Sequence, residues 1–308
     1  VRLIRLLTLL TTAGLLSSLP APPASATFPG VNGRIVFEHE EPAGDHTQVD
    51  VFSIKPDGTG LLQLTDSPDN NEFGPAWNAQ GTKIAFWRTK APFGPGSIWV
   101  MDADGSNKRR LTKNVDARDP VWNPAGNRIA YSCSGHNGDI CTLRVSDGGD
   151  RRHVTSSSAG DFEPAWSPDG HYIAFSRATS PQGDVGDIYV IDVKTKNVVR
   201  LTHSPDYDHQ VGWSPDSSKA VFERDFDRSS AIFVVNADGT NHRRLSPGQH
   251  FDLGPAYSPT GKLIAFGSDR GTDFFPDLWI MRANGTNLRR LGGSQFPESF
   301  PDWQALGD

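Results

Sequence analysis

Six aromatic residues recur at near-regular intervals in this 308-residue chain, and five residues ahead of five of them stands a carboxylate: Glu72, Asp161, Asp208, Asp252 and Glu298. At the sixth the position is Ala117, with Asp116 beside it. Carboxylates gathered in one place repel each other, and a cation or a basic segment of a partner relieves that repulsion. An acidic ring of Glu72, Asp116, Asp161, Asp208, Asp252 and Glu298 is therefore a candidate binding site. Each acid can also accept backbone amides of its own turn, as Asp commonly does, and the sequence leaves both roles open. Histidine sharpens one sector. Asp206, Asp208 and His209 precede Trp213, while His250 and Asp252 precede Tyr257. Mixed nitrogen and oxygen donors of this kind suit a divalent metal, and no other cofactor is indicated.

Other chemistry finds no support. The chain has no G-x-S-x-G, no H-E-x-x-H and no C-x-x-C, which removes the usual signatures of a hydrolase elbow, a zinc protease and a paired-thiol site. The run D-A-D-G (102–105) has its glycine fourth instead of sixth, so it reads as a hairpin turn and not as a calcium loop. Cys133 and Cys141 stand in slots that the other repeats fill with His39, Arg88, Arg177, Arg224 or Ser268, and with Phe52, Trp99, Tyr189, Phe233 or Trp279. Two departures from pattern in neighbouring strands suggest a cross-strand disulfide made in an oxidising compartment.

The elements that must position these residues are repeats. The aromatics are Trp77, Trp122, Trp166, Trp213, Tyr257 and Trp303, at intervals of 45, 44, 47, 44 and 46 residues. A turn such as S-P-D-G follows all but the last, and a second aromatic comes nine residues after each of the first five: Phe86, Tyr131, Phe175, Phe222 and Phe266. An invariant interval means a fixed hairpin. A third strand, a tight turn such as D-A-D-G-S-N and a short last strand ending in R-R-L or V-R-L complete a four-strand unit. In I-A-F both strand faces are apolar, so each sheet is covered on both sides. The expected fold is all-β: a six-bladed β-propeller of four-stranded antiparallel blades. The first unit lacks its P-x-W strand and the chain finishes on P-D-W-Q (301–304), so the C-terminal strand is expected to close the ring. Phe28, nine residues before Phe37, is the weaker candidate for that place. In such a ring the acids surround one channel mouth, on the face where the variable loops emerge and binding usually sits.

The ends and totals bound the rest. Arg2 and Arg5, the apolar run Leu6 to Leu16 and Ala24-Ser25-Ala26 have the parts of a secretory signal peptide, residues 1–26, ahead of a propeller domain over 27–308. That run is too short to cross about 30 Å of hydrocarbon, so the expectation is an exported, periplasmic or extracellular protein with no membrane span. No cysteine near the cleavage point offers a lipid anchor. Removing two of the 30 basic side chains and none of the 36 acidic ones gives 28 against 36, a net −8, which argues against nucleic acid as the partner.

The stretches P-A-W-S-P-D-G-H-Y-I-A-F (164–175), D-I-Y-V-I-D (187–192) and N-A-D-G-T-N-H-R-R-L (236–245) resemble the WD40-like repeats of the TolB family of six-bladed propellers, and the likeness runs over residues 32–308. The resemblance implies a monomeric, non-enzymatic interaction module of the cell envelope. Its partner would be an envelope protein of the peptidoglycan-associated lipoprotein kind, bound at the channel-mouth face. TolB carries an α/β domain ahead of its propeller, whereas here the repeats begin within about ten residues of the expected cleavage site. The competing expectation is an enzyme. Some related propellers carry metal-assisted lyase sites, and the His209/His250 sector faintly resembles them, which would make the substrate a polysaccharide.

Overall fold

The computed structural model describes residues 27–307 apart from 44–45, 91–93, 135–137, 180–184, 272–274 and 292–295. The expected signal peptide, residues 1–26, lies outside the described residues. Among those described, regular structure is all strand, in repeated four-strand meanders. The first unit holds β1 (Val31–Ala43), β2 (His46–Ile54) and β3 (Leu62–Gln63), and the second β4 (Asn70–Trp77), β5 (Lys83–Lys90), β6 (Ser97–Asp102) and β7 (Arg109–Arg110). The third is β8 (Ala117–Trp122), β9 (Arg128–Cys133), β10 (Asp139–Arg144) and β11 (Arg152–His153). The fourth is β12 (Asp161–Trp166), β13 (Tyr172–Ala178), β14 (Gly186–Asp192) and β15 (Val198–Arg200). The fifth is β16 (Tyr207–Trp213), β17 (Lys219–Phe226), β18 (Ser229–Asn236) and β19 (Arg243–Arg244). Then come β20 (Asp252–Tyr257), β21 (Leu263–Ser268), β22 (Asp277–Arg282), β23 (Arg289–Arg290) and finally β24 (Glu298–Leu306). One parallel bridge, Gly186 to Tyr207, joins the fourth and fifth units into a single eight-stranded sheet.

β24 pairs antiparallel with β1, Trp303 opposite Ile35, so the C-terminal strand completes the first unit. Phe28 does not take that place. It is buried against Trp122 and Ala305, while the hydroxyl of Thr27 donates to the Tyr257 carbonyl at 2.9 Å.

Packing runs from unit to unit. Trp77, Ile84 and Phe86 bury against Val36, Val51 and Leu64 of the first unit. Trp166, Ile173 and Phe175 do the same against the third, and Trp303, Ile35 and Phe37 against Ala265, Leu278 and Ile280. The last unit therefore packs on the first. The small residue before each second aromatic, such as Ala85 or Ala265, is fully buried, and its size lets the neighbouring sheet approach.

The first strand of every unit carries a bulge. Register shifts fall between Phe73 and Ala76, Arg118 and Val121, Phe162 and Ala165, His209 and Gly212, and Leu253 and Ala256, with another opposite β24. The residue three before each anchor has positive φ: Gly74 (56°), Asp119 (51°), Glu163 (54°), Gln210 (51°), Gly254 (54°) and Phe300 (51°). Four of these six are not glycine, and a bulky residue held there is strained. Bulges re-aim side chains, and strain of this kind concentrates at functional sites.

Candidate functional site

The acids five residues ahead of the anchors are buried: Glu72, Asp161, Asp208 and Asp252 are 0% exposed and Glu298 is 2%. Each faces a basic side chain, on the adjacent strand for Arg88, Arg177, Arg224 and His39 and just past the end of β21 for Arg270. Arg177 Nε and Nη2 donate to the two oxygens of Asp161 at 2.6 and 2.8 Å, and Arg224 holds Asp208 at the same two distances. Arg88 Nε lies 2.6 Å from Glu72, Arg270 Nη2 donates to Asp252 at 2.5 Å, and His39 Nδ1 stands 3.7 Å from Glu298. The guanidiniums also lie over aromatic faces, Arg88 4.3 Å from Trp99, Arg177 4.8 Å from Tyr189 and Arg224 4.5 Å from Phe233. Acid, arginine and aromatic thus form one clamp across three strands. Asp116 is different: it is partly exposed, accepts the Gly96 amide at 2.6 Å and pairs with Arg118.

In the third unit all three clamp positions change together. Ala117 stands in the acid's place opposite Cys133, and Cys141 takes the aromatic's place. Cys133 and Cys141 form a disulfide with Cα atoms 5.8 Å apart. A covalent pin replaces an electrostatic one.

The five candidate metal ligands have separate partners. Asp208 and Asp252 face Arg224 and Arg270, and His250 Nδ1 lies 3.3 Å from Asp269. The Asp206 amide bonds the Ser204 hydroxyl at 3.0 Å. His209 sits among Asp225 (3.3 Å), Glu223 (3.6 Å) and Glu163 (3.8 Å). Ligand atoms of His209, Glu223 and Asp225 lie within 4.8 Å of one another. Burial would lower the His209 pKa, but hydrogen bonds to Asp225, Glu163 and Glu223 outweigh it and hold the ring protonated. An imidazolium here occupies the place a cation would take.

A separate cavity of about 390 Å³ is lined by the bulged segments of β4, β8, β12, β16, β20 and β24, and Glu163 reaches it from the His209 cluster. Its walls carry a different set of acids: Glu38, Glu40, Asp119, Glu163 and Asp302. Bulge amides feed them. Gly74 N donates to Glu38 at 2.7 Å and Gln210 N to Glu163 at 3.0 Å, and Gly254 N donates in the same way, at 3.0 Å, to Glu223, which lies outside the cavity lining. Burial pushes the Glu38 carboxyl up to about 8, against the pull of the Gly74 amide. Burial likewise raises Asp119 and Asp302 to about 7. Beside the acids Phe73 stacks on Trp87 at 4.5 Å, and Arg118 lies 5.3 Å from the Trp87 ring.

The cavity acids were invisible to the repeat reading because they deviate from it. Position three before the anchor holds Gly, Asp, Glu, Gln, Gly and Phe in turn, and the residue after the second aromatic is Glu38, Trp87, Ser132, Ser176, Glu223 or Gly267. Variability at two fixed slots inside rigid hairpins was the one available signal.

Residues 81–230 match the family described as the TolB beta propeller domain. The "Tol-Pal system protein TolB" of Francisella tularensis subsp. tularensis is 29% identical over 194 residues, 60% of this chain and 44% of that protein. The chain spans less than half the length of the curated relatives it matches, 15% of one and 44% of the other. Among solved structures, TolB from Acinetobacter baumannii aligns with a TM-score of 0.76 at 22% identity, over 89% of this chain and 67% of that one. The fold is shared by an enzyme too: an oligogalacturonate lyase in complex with manganese aligns at TM-score 0.52 and 13% identity, over 85% of this chain and 74% of that one.

Proposed function

From the match to the TolB beta propeller domain over residues 81–230, we propose that the chain is a TolB-like β-propeller whose four-strand units are six blades of one closed ring, and that its cavity mouth docks a protein of the cell envelope. Three facts support the ring: β24 pairs with β1, the last unit packs on the first, and six bulged strands share one cavity. The protein is an exported monomer over 27–308, working in the periplasm or outside the cell. Its partner is of the peptidoglycan-associated lipoprotein kind.

The observation that carries this reading is the cavity itself. Its acids lack the arginine clamps of the buried set, and they stand beside the Phe73–Trp87 platform. Such a surface fits a segment that presents a basic and an aromatic side chain together. No catalytic step enters this reading. A protonated His209 cannot accept a proton as a general base, and the Asp206, Asp208, His209, His250 and Asp252 set has no shared ligand position. A divalent cation, where one binds, screens the cavity acids and assists docking.

A photo-crosslinking amino acid at Phe73, compared with one at Asp238 in a turn of the opposite end, tests the proposal in an envelope extract. In extract buffered at about pH 9, where both carboxyls are ionised, the expected result is one protein captured from Phe73 alone, and lost when Glu38→Gln and Asp119→Asn are combined. Equal capture from both positions, or capture indifferent to the two charge changes, would overturn it.

A further inference from the structure

Between the fourth and fifth units, at the end away from the acid–arginine clamps, lies a second cavity of about 480 Å³. Val190, Val199, Leu201 and the Trp213 indole form its wall. Asp169, Asp192, Asp216 and Asp238 stand at its rim, against one cation, Lys219.

The cavity has a sequence cause. At four other junctions the glycine of the last turn closes under a leucine carbonyl of the preceding unit. A Cβ on Gly58, Gly105, Gly148 or Gly285 would stand 2.4, 2.6, 2.1 or 2.6 Å from the oxygen of Leu291, Leu64, Leu111 or Leu245. On Gly239 it would stand 3.3 Å from the Leu201 oxygen. The same junction has Ser217 where four other hairpin turns have glycine, and a last turn in the fourth unit that reads D-V-K-T-K-N (192–197), without glycine. Ser217 keeps the units joined, its hydroxyl accepting the Asp169 amide at 3.0 Å. The gap therefore belongs to this junction and not to the repeat.

We propose that this cavity binds a small organic cation: an aromatic or branched apolar body carrying one ammonium group. The apolar wall takes the body, since ligand sites are concave and mostly apolar with few convergent polar groups. The rim takes the charge. Hydrogen bonds from Thr240 hold Asp238 below the usual carboxylate range, and bonds from Ser214 and Ser218 do so for Asp216 against its burial. Both stay ionised at neutral pH. An anionic ligand of the same shape meets repulsion from the rim. The site is independent of partner docking, because it opens at the other end of the fold.

Calorimetric titration of the purified chain with benzyltrimethylammonium, benzyl alcohol and phenylacetate tests this. The cation should bind saturably at one site, the alcohol more weakly and the anion not at all. Val199 is part-exposed on β15, so Val199→Trp fills the cavity from the edge and should abolish binding while the melting curve is kept. Asp216→Asn with Asp238→Asn keeps the turn acceptors, and should weaken the cation about fivefold and flatten its salt dependence. Absence of saturable cation binding, equal binding of phenylacetate, or unchanged affinity in folded Val199→Trp overturns the proposal. If Val199→Trp does not fold, unchanged affinity in the double Asp variant overturns it alone.

Discussion

Replacing Asp161 by Asn separates a clamp from a binding charge. Asp161 is fully buried, and its two oxygens take both donors of Arg177 at 2.6 and 2.8 Å. Arg177 is itself 16% exposed and lies 5.2 Å from Phe175 and 4.8 Å from Tyr189. It cannot swing into water without leaving those rings. Asn keeps one acceptor and replaces the other with an N–H that points at the guanidinium. Breaking a buried pair from one side costs about 3–5 kcal/mol, because the remaining charge is stranded. One retained acceptor argues for the low end, about 3 kcal/mol, or a fall in Tm of about 6–10 °C for a chain of this size. Two comparisons make the number diagnostic. Asp116→Asn, at a pair 36% and 47% exposed, should cost less than about 1 kcal/mol. Adding Arg177→Met to Asp161→Asn removes the stranded cation and should restore most of the loss. Urea unfolding followed by tryptophan fluorescence measures all four proteins. If Asp161→Asn melts with wild type, or no better when Arg177 is also removed, the clamp does not hold this hairpin and the reasoning fails.

Reducing the disulfide, or changing both cysteines to Ser, should cost about 2.5 kcal/mol for a loop this short, read as a lower urea midpoint that reductant reproduces in wild type. The Glu38 carboxyl, raised to about 8 in the fold from an ordinary 4.5, binds its proton more tightly folded than unfolded. Its contribution is therefore full at pH 4 and lost as pH climbs from about 4.5 to 8, by up to about 5 kcal/mol. Glu38→Gln should match wild type at pH 4 and exceed it at pH 8; equal pH slopes for the two proteins would contradict the burial argument. Deleting residues 298–308 removes β24 and the fully buried Trp303, exposing β1 as an edge. Gel filtration should then show aggregation, and a cooperative melt at the wild-type temperature would rule out closure by this strand.

Much of the fold is written in the sequence. The invariant nine-residue interval between anchors and second aromatics fixes a hairpin by local geometry alone, and each aromatic is buried by a neighbour built to the same pattern. The incomplete first unit and the lone final P-D-W-Q identify β24 as the partner of β1, because a missing strand and a spare strand of one type have one economical solution. Cys133 and Cys141 stood out for the same reason: a repeat makes its exceptions visible. What the repeat could not show was which side chains meet across a strand pair. Asp161 and Arg177 both occupy recurring slots, yet they face each other only because one bulge residue shifts the register between Phe162 and Ala165. Counted without the bulge, Asp161 falls opposite Ala178, and the arginine turns to the other face of the sheet. That single slip turns an apparent ring of free acids into a set of buried clamps. The same bulges, held at positive φ, aim Asp119 and Glu163 into the central cavity beside Glu38. No periodicity marks those three, since Asp119 and Glu163 have no counterpart of their own type in that slot and Glu38 has one only in Glu223, and only the packing of six strands around one space brings them together.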